Sequence, residues 1–295
     1  MILATVGSQD FLSLLQGNLK SLWHQLSTFE WNYFYSLLAI SLVVFSLELL
    51  FPWRKEQKKI RRDFWLDAFY MFFNIFLFLL IFKVFASYVS GLFESSLDRA
   101  GLTWLLTDRV KSLPIWSQLI ILFIARDFIQ WNVHRLLHRV SWLWQFHKVH
   151  HSVKEMGFAA HLRFHWMETV VYNTIQFLPL GMIGFALDQY IGVYVVSILI
   201  GHLNHANFKC NYGPLKYLLN NPAMHIWHHA KDLPKGFEKG CNFGLSLSLW
   251  DYIFKTNYVP RDGGGVELGY EGDNEMPRSF LKQLFFGFRK NKNDS

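Results

Sequence analysis

The run WNYFYSLLAISLVVFSLELLFPW, residues 31–53, is followed at once by RKEQKKIRR, residues 54–62. The first stretch is long enough to cross a bilayer as a helix, carries Glu48 as its single charge, and ends at Pro52. The second holds six basic residues and one acid, so the positive-inside rule predicts a cytoplasmic loop with the N-terminus on the far side. Residues 1–30 lack a basic leader and a small-residue cleavage site, so QDFLSLLQGNLKSLWHQL (9–26) is expected as an amphipathic interfacial helix, not a cleaved signal.

Composition agrees with that reading. The chain has 295 residues, of which 52% are hydrophobic and 18% aromatic, more than a soluble domain of this size carries. Its formal charge of +7 does not predict nucleic-acid binding, because the basic residues cluster beside apolar runs. Cys210 and Cys241 are too few for a disulfide framework or a four-thiolate cluster and are expected as free thiols.

A second span is predicted over about 66–89, a mixed-charge far-side segment over 94–111, and a third span over about 113–130. That third span runs straight into HRLLH. Ten of the thirteen histidines form a spaced series: His134 and His138; His147, His150 and His151; His165; His205; and His225, His228 and His229. HxxxH and HxxHH each place histidines about one helical turn apart on one face. An imidazole neutral at cytosolic pH offers one lone pair, so this density points to metal ligation. One four-coordinate zinc would use about four ligands. The inventory here is enough for two ions.

The apolar run 170–200 contains Pro179, Gly181, Gly184 and Asp188. A single crossing there would leave His205 and HIWHH some 30 Å from the earlier histidines, too far to share a site with bonds of about 2 Å. A helical hairpin turning near 184–188 is therefore expected, with one helix lying flat in the interface as the alternative. PRDGGG (260–265) and EGDNEMP (271–277) read as surface loop without phosphate-loop spacing, followed by amphipathic FLKQLFFGF (280–288) and the polar tail KNKNDS (290–295). The expected fold is all-α: a membrane bundle of three spans plus a hairpin, under a cytosolic histidine-rich helical cap. Its expected division is an interfacial segment (1–30), a membrane-embedded domain (31–258), and a cytosolic C-terminal loop and tail (259–295).

HxxxH, HxxHH and a second HxxHH, together with the Asp in RDFIQWNVHRLLHR, WQFHKVHHS, RFHWME, NHAN, NPAMHIWHH and NFGLSLSLWDYIFKT, resemble the fatty acid hydroxylase/sterol desaturase superfamily of membrane di-iron oxygenases. The resemblance covers roughly residues 120–257. It implies two irons held by the histidines above, with recombinant protein able to carry zinc because imidazole accepts both. It departs at Trp166, where the related segment R-x-H-P-x-E has proline, which leaves His165 either a ligand or a neighbour shaping the cavity. His161 and His202 match less well and are either ligands or polar cavity wall; His24 is expected to be structural. Asp127 shares a helix face with Trp131, His134 and His138, so it could accept a ligand's second N–H, the ordinary alternative being an ion pair with Arg126 or Arg135. Glu168, Asn242 and Asp251 are similar candidates, with helix capping or loop hydrogen bonding as the ordinary alternative.

The implied activity is O2-dependent hydroxylation of a lipid C–H bond, for which redox-inert zinc would not serve. Desaturation is a rival outcome of the same chemistry. GPLKYLLNNPAMHIWHH (213–229) is similar to alkylglycerol monooxygenases, which adds ether-lipid cleavage. A membrane metal transporter or metal-storage protein is the rival from another class, but a transporter should carry ionisable ligands through its spans. With no haem-attachment motif, cytochrome b5 domain or dinucleotide fingerprint, electrons are expected from a separate transfer protein or a pterin.

Overall fold

The computed structural model describes residues 11–288; the first ten residues and the tail KNKNDS lie outside the described residues. Among the described residues every regular element is helical, with three isolated β-bridges and no strand.

Helix α1, Phe11–Ser27, buries only Leu22 and leaves Leu12, Leu19 and Trp23 exposed. Helix α2, Tyr33–Leu50, starts at Asn32, whose side chain accepts from the Tyr35 N–H at 3.2 Å. Tyr33, Leu37 and Val44 enter the core, but most of its apolar surface stays exposed. Only 22% of its apolar window is buried, whereas the core helix of a soluble protein would be mostly buried.

Helices α3 (Phe64–Leu77) and α4 (Lys83–Arg99) are one continuous rod joined by a π turn over Phe78–Phe82. The rod is 36 residues long and apolar enough to cross a membrane. It runs to Arg99, beyond the span expected over 66–89 and into the segment expected as far-side loop. At ~1.5 Å per residue it is longer than a hydrocarbon core of roughly 30 Å. The π turn widens the backbone, and the Asn18 side chain of α1 donates to the carbonyls of Leu79 at 2.6 Å and Leu80 at 3.3 Å.

Helix α5, Ile115–Arg139, is apolar and largely exposed in its first half. Arg126 and Asp127 fall at its middle, and Arg135 and Arg139 in its last two turns. Only α2 and the α3–α4 rod are therefore long and apolar enough throughout to cross a membrane among the described residues. Helix α6, Ser141–His151, folds back against α5 after Val140.

The chain then becomes helical from residue 166, through a π turn at Glu168–Tyr172, into α7 (Asn173–Met182), and reverses into α8 (Leu187–His205). This is the hairpin. Its turn needs Gly184, which has φ +102° and where a Cβ would sit 2.9 Å from the Thr107 carbonyl. Helix α8 lies against α2, and the Glu48 carboxylate accepts from Asn207 N at 2.7 Å and Phe158 N at 3.2 Å. The lone acid of α2 thus holds the end of α8.

Short helices α9 (Pro222–His228), α10 (Leu249–Ile253) and α11 (Phe280–Leu284) complete the chain. Asn221 accepts from Met224 N at 3.1 Å and Pro222 occupies the first turn, so the HIWHH helix has a defined start. Not all of the basic run 54–62 faces outward. Lys55, Lys58, Lys59 and Arg62 are exposed, but Arg61 is buried on Asp67 and Arg54 donates to the Met156 carbonyl at 2.7 Å.

Candidate metal centre

Nine histidines converge into two buried groups. His134, His138, His147, His151 and His228 form the first; His150, His205, His225 and His229 form the second. Within each group the potential ligand atoms lie within 4.8 Å of one another. The helical repeat explains the division. In each HxxHH the first and last histidines are four residues apart and share a face, while the middle one is rotated off it. So α6 gives His147 and His151 to the first group and His150 to the second, and α9 with its last turn gives His225 and His229 to the second and His228 to the first. Each motif reaches into both groups, and the two groups abut: the His151 and His229 rings stack with centroids 4.4 Å apart.

The ring nitrogens are oriented from behind. His134 Nδ1 is 2.8 Å from the Phe243 carbonyl, His228 Nδ1 is 2.7 Å from the Cys241 carbonyl, His205 Nδ1 is 2.7 Å from the Gly201 carbonyl, and His147 Nδ1 is 2.8 Å from Glu168 Oε2. A ring that donates through Nδ1 keeps its lone pair on Nε2. Those Nε2 atoms face each other: His134 to His147 at 3.1 Å, His151 to His228 at 3.1 Å, and His205 to His225 at 3.0 Å. Two Nε2 lone pairs, as on His134 and His147, have no proton to share and repel unless a cation lies between them. Two bonds of ~2.1 Å meeting at a right angle put the donor atoms roughly 3.0 Å apart. The spacing therefore fits imidazoles arranged around metal ions. His138 Nε2 is also buried without a hydrogen-bond partner. Burial, reinforced by neighbouring histidines, holds His147, His150, His151, His225 and His229 well below their ordinary pKa, and burial does the same for His228. They stand as neutral donors.

The four remaining histidines lie outside both groups. His165 Nε2 is 2.7 Å from the Leu284 carbonyl, and Trp166, in the position expected for proline, donates to the same carbonyl at 3.2 Å. His161 and His202 meet through their Nδ1 atoms at 2.8 Å, and His202 Nε2 lies 3.2 Å from Ser41 Oγ. His24 is exposed on α1, 3.5 Å from Glu30.

Glu168 stands behind His147, whereas Asp127 meets no imidazole. Its carboxylate accepts from Ser246 N at 3.0 Å, Leu247 N at 3.2 Å and Trp250 Nε1 at 3.0 Å, and neither Arg126 nor Arg135 pairs with it. The helix face that carries His134 is wide enough that Asp127, two turns earlier, meets the 241–251 loop instead of an imidazole. Asp251 grips the same loop from its other end, accepting from Phe243 N at 2.9 Å, Gly244 N at 2.7 Å, Thr256 Oγ1 at 2.6 Å and Trp131 Nε1 at 3.0 Å. Asn242, at φ +50°, bridges Met224 O and Tyr258 O. The two aspartates thereby fix the loop whose carbonyls orient His134 and His228. Nothing in the residue spacing announced that carbonyl pair.

The C-terminal segment closes over the centre. Gly269 N donates to the His229 carbonyl at 3.1 Å, Lys154 pairs with Asp273, and Gly287 sits where a Cβ would collide with the Phe146 ring.

Comparison with known proteins points to the segment that holds these histidines. Residues 119–256 match the family model for fatty acid hydroxylase, an interval that contains all nine clustered histidines. The chain is 31% identical over 171 residues to the ornithine lipid hydroxylase OlsE of Rhizobium tropici, covering 58% of this chain and 50% of that protein. It is 28% identical over 156 residues to an alkylglycerol monooxygenase of Caenorhabditis elegans, covering 50% of this chain and 29% of that protein. A very-long-chain aldehyde decarbonylase of Oryza sativa subsp. indica is 27% identical over 163 residues, 50% of this chain and 25% of its own. The chain thus spans half or less of the length of these relatives. No solved structure matches it.

Proposed function

From the premise of a fatty acid hydroxylase domain at residues 119–256, we propose that this protein is a membrane-bound non-haem di-iron oxygenase that hydroxylates a lipid C–H bond with O2 and electrons from a separate donor. The observation that carries the reading is the facing Nε2 atoms 3.0–3.1 Å apart in two abutting histidine groups. His134, His138, His147, His151 and His228 would hold one iron, and His150, His205, His225 and His229 the other. Bound there, the irons supply the redox chemistry that O2 activation requires and that zinc lacks.

The chain's own residues do the rest. Glu168 and the carbonyls of Cys241, Phe243 and Gly201 fix the imidazoles, so no reorganisation is needed when metal and substrate arrive. Burial of all nine rings apart from the half-buried His138 keeps bulk water from the reacting centre. The flank of the cluster is a cavity lined by His134, His147, His150 and His205 on one side and by α7 and α8 on the other, where a lipid would enter from the bilayer. Hydroxylation is preferred to desaturation and ether cleavage because the relative at 31% identity is a lipid hydroxylase. The donor is a separate electron-transfer protein or a pterin.

Two measurements test this reading. Elemental analysis of the purified protein should give about two metal ions per chain, iron in active samples and zinc in some recombinant ones. One ion or fewer in well-folded protein would sink the two-metal assignment.

The second concerns topology. In the proposed arrangement α2 and the α3–α4 rod cross the membrane, the 25-residue α5 brings the chain back, α7–α8 enters and returns, and both histidine groups face the cytosol beside residues 54–62. Lys58 and Lys235 are exposed in the basic loop and after HIWHH, and Asp98 is exposed near the end of α4. In a Cys210→Ser background, Lys58→Cys and Lys235→Cys should react with a membrane-impermeant maleimide from the cytosolic side, and Asp98→Cys from the other. Labelling of Lys58→Cys and Lys235→Cys from opposite sides would contradict the hairpin.

A further inference from the structure

The cavity beside the histidine groups has an unusual lining for one that would admit a hydrocarbon. Along one face of α5, Arg126, Gln130, Val133, His134 and Leu137 border it, and Tyr172 and Gln176 face them from the opposite side. Its volume is ≈ 60 Å³, small beside typical ligand sites.

Arg126 is 1% exposed. Its guanidinium meets only neutral groups: Ser197 Oγ at 3.0 Å, and the rings of Tyr190 and Tyr194 at 5.1 and 4.7 Å. Its Nε is buried without a partner. Asp127, the adjacent acid, spends both oxygens on Ser246, Leu247 and Trp250. Two other polar atoms of the same cavity, Tyr172 OH and Gln176 Oε1, are also buried without a partner. A buried cation costs several kcal/mol if nothing neutralises it, and an ionisable residue at membrane depth is by default a functional one. Orphaned groups gathered on one cavity wall point to an absent occupant.

Resting on the oxygenase reading above, we propose that the cavity seats an anionic oxygen group of the lipid substrate, a carboxylate or a phosphate, on Arg126. Tyr172 OH donates a second hydrogen bond, and Gln176 Oε1 receives a donor from the same headgroup. Arg126 lies eight residues before His134 on α5, roughly 12 Å along the helix. The anchor therefore presents carbons close to the charged end to the metal centre and leaves the distal chain in the bilayer, which is how a positioning contact raises the effective concentration of one C–H bond.

The test is equilibrium binding to the purified, metal-containing protein in an uncharged detergent. Palmitate is compared with methyl palmitate, and 1-palmitoyl lysophosphatidate with 1-monopalmitin; inorganic phosphate alone is the free-anion arm. The charged member of at least one lipid pair should bind about tenfold tighter or more, the pair showing which anion is used. Arg126→Gln should remove that preference and Arg126→Lys should keep part of it, while the metal content of the same samples stays unchanged. Equal binding within both lipid pairs on the wild type, with or without binding of inorganic phosphate, overturns the proposal, as does a preference that survives Arg126→Gln. Should Arg126→Gln fail to fold, Tyr172→Phe takes its place and must weaken the charged lipid more than its neutral partner. Metal content reads the histidine centre independently, so loss of the metal assignment is distinguishable from loss of the anion site.

Discussion

His150→Ala and His228→Ala should each abolish turnover, even though they empty opposite halves of the centre. His228 belongs to the first histidine group and His150 to the second. Each is the middle member of its HxxHH, the one rotated away from its two companions. Removing either takes one lone pair from one proposed iron and leaves the other iron's ligands complete. The expected signature is therefore a fall from about two metal ions to about one per chain, together with loss of oxygen- and reductant-dependent hydroxylated lipid in membranes containing matched amounts of each variant. Both irons are required for the proposed chemistry, so activity should drop to background in both cases. His24→Ala, on the exposed face of α1, should leave metal and product unchanged. Full activity in both HxxHH variants would show that the histidines are not the catalytic centre, and a metal transport or storage role would then be the stronger reading.

The interlocking of the two groups shows what the sequence could and could not convey. Spacing alone placed the three histidines of each HxxHH on one helix face, because the α-helical repeat is local and rigid, and it did not separate the middle histidine from its companions. It could not say that His228 joins His134 from a helix ninety residues earlier, since that depends on how α5, α6 and α9 approach one another. The hairpin was legible for a related reason: histidines on either side of an apolar run cannot share a site across a bilayer, which left a turn near Gly184 or a helix lying flat in the interface. Asp127 was misread as a partner of histidine because a shared helix face does not tell whether the far wall is an imidazole or a loop. Glu48 and Arg61 looked like a stray acid and part of a surface charge run. Each is buried or half-buried and committed to a tertiary contact, on Asn207 and Phe158 for Glu48 and on Asp67 for Arg61, and contacts of that range leave no local pattern.

The same limit hid the partners of Asp251, a residue singled out from the sequence, whose replacement should be the most damaging change outside the histidines. It is fully buried, and its carboxylate takes two backbone N–H groups from Phe243 and Gly244, the Trp131 indole N–H and the Thr256 hydroxyl. Asp251→Ala leaves at least three buried N–H donors unpaired. At about 1–3 kcal/mol for each orphaned group the cost is roughly 3–9 kcal/mol, a large part of a typical stability of about 5–15 kcal/mol. The loop it holds carries the Cys241 and Phe243 carbonyls that orient His228 and His134, so the metal centre should loosen along with the fold. The expected outcome for Asp251→Ala is a thermal midpoint in detergent lowered by well over ten degrees or little recoverable protein, with any recovered material depleted in metal. Asp251→Asn tests the cause. It keeps the Oδ1 acceptor for Phe243, Trp131 and Thr256 but turns an N–H2 toward the Gly244 N–H, so it should fall between wild type and alanine. Thr256→Val, which removes one donor and orphans none, should cost least. If Asp251→Ala melted within a few degrees of the wild type and retained its metal, the loop would have to be held by Asp127 and Asn242 alone, and the carbonyls behind His134 and His228 would not depend on Asp251 at all.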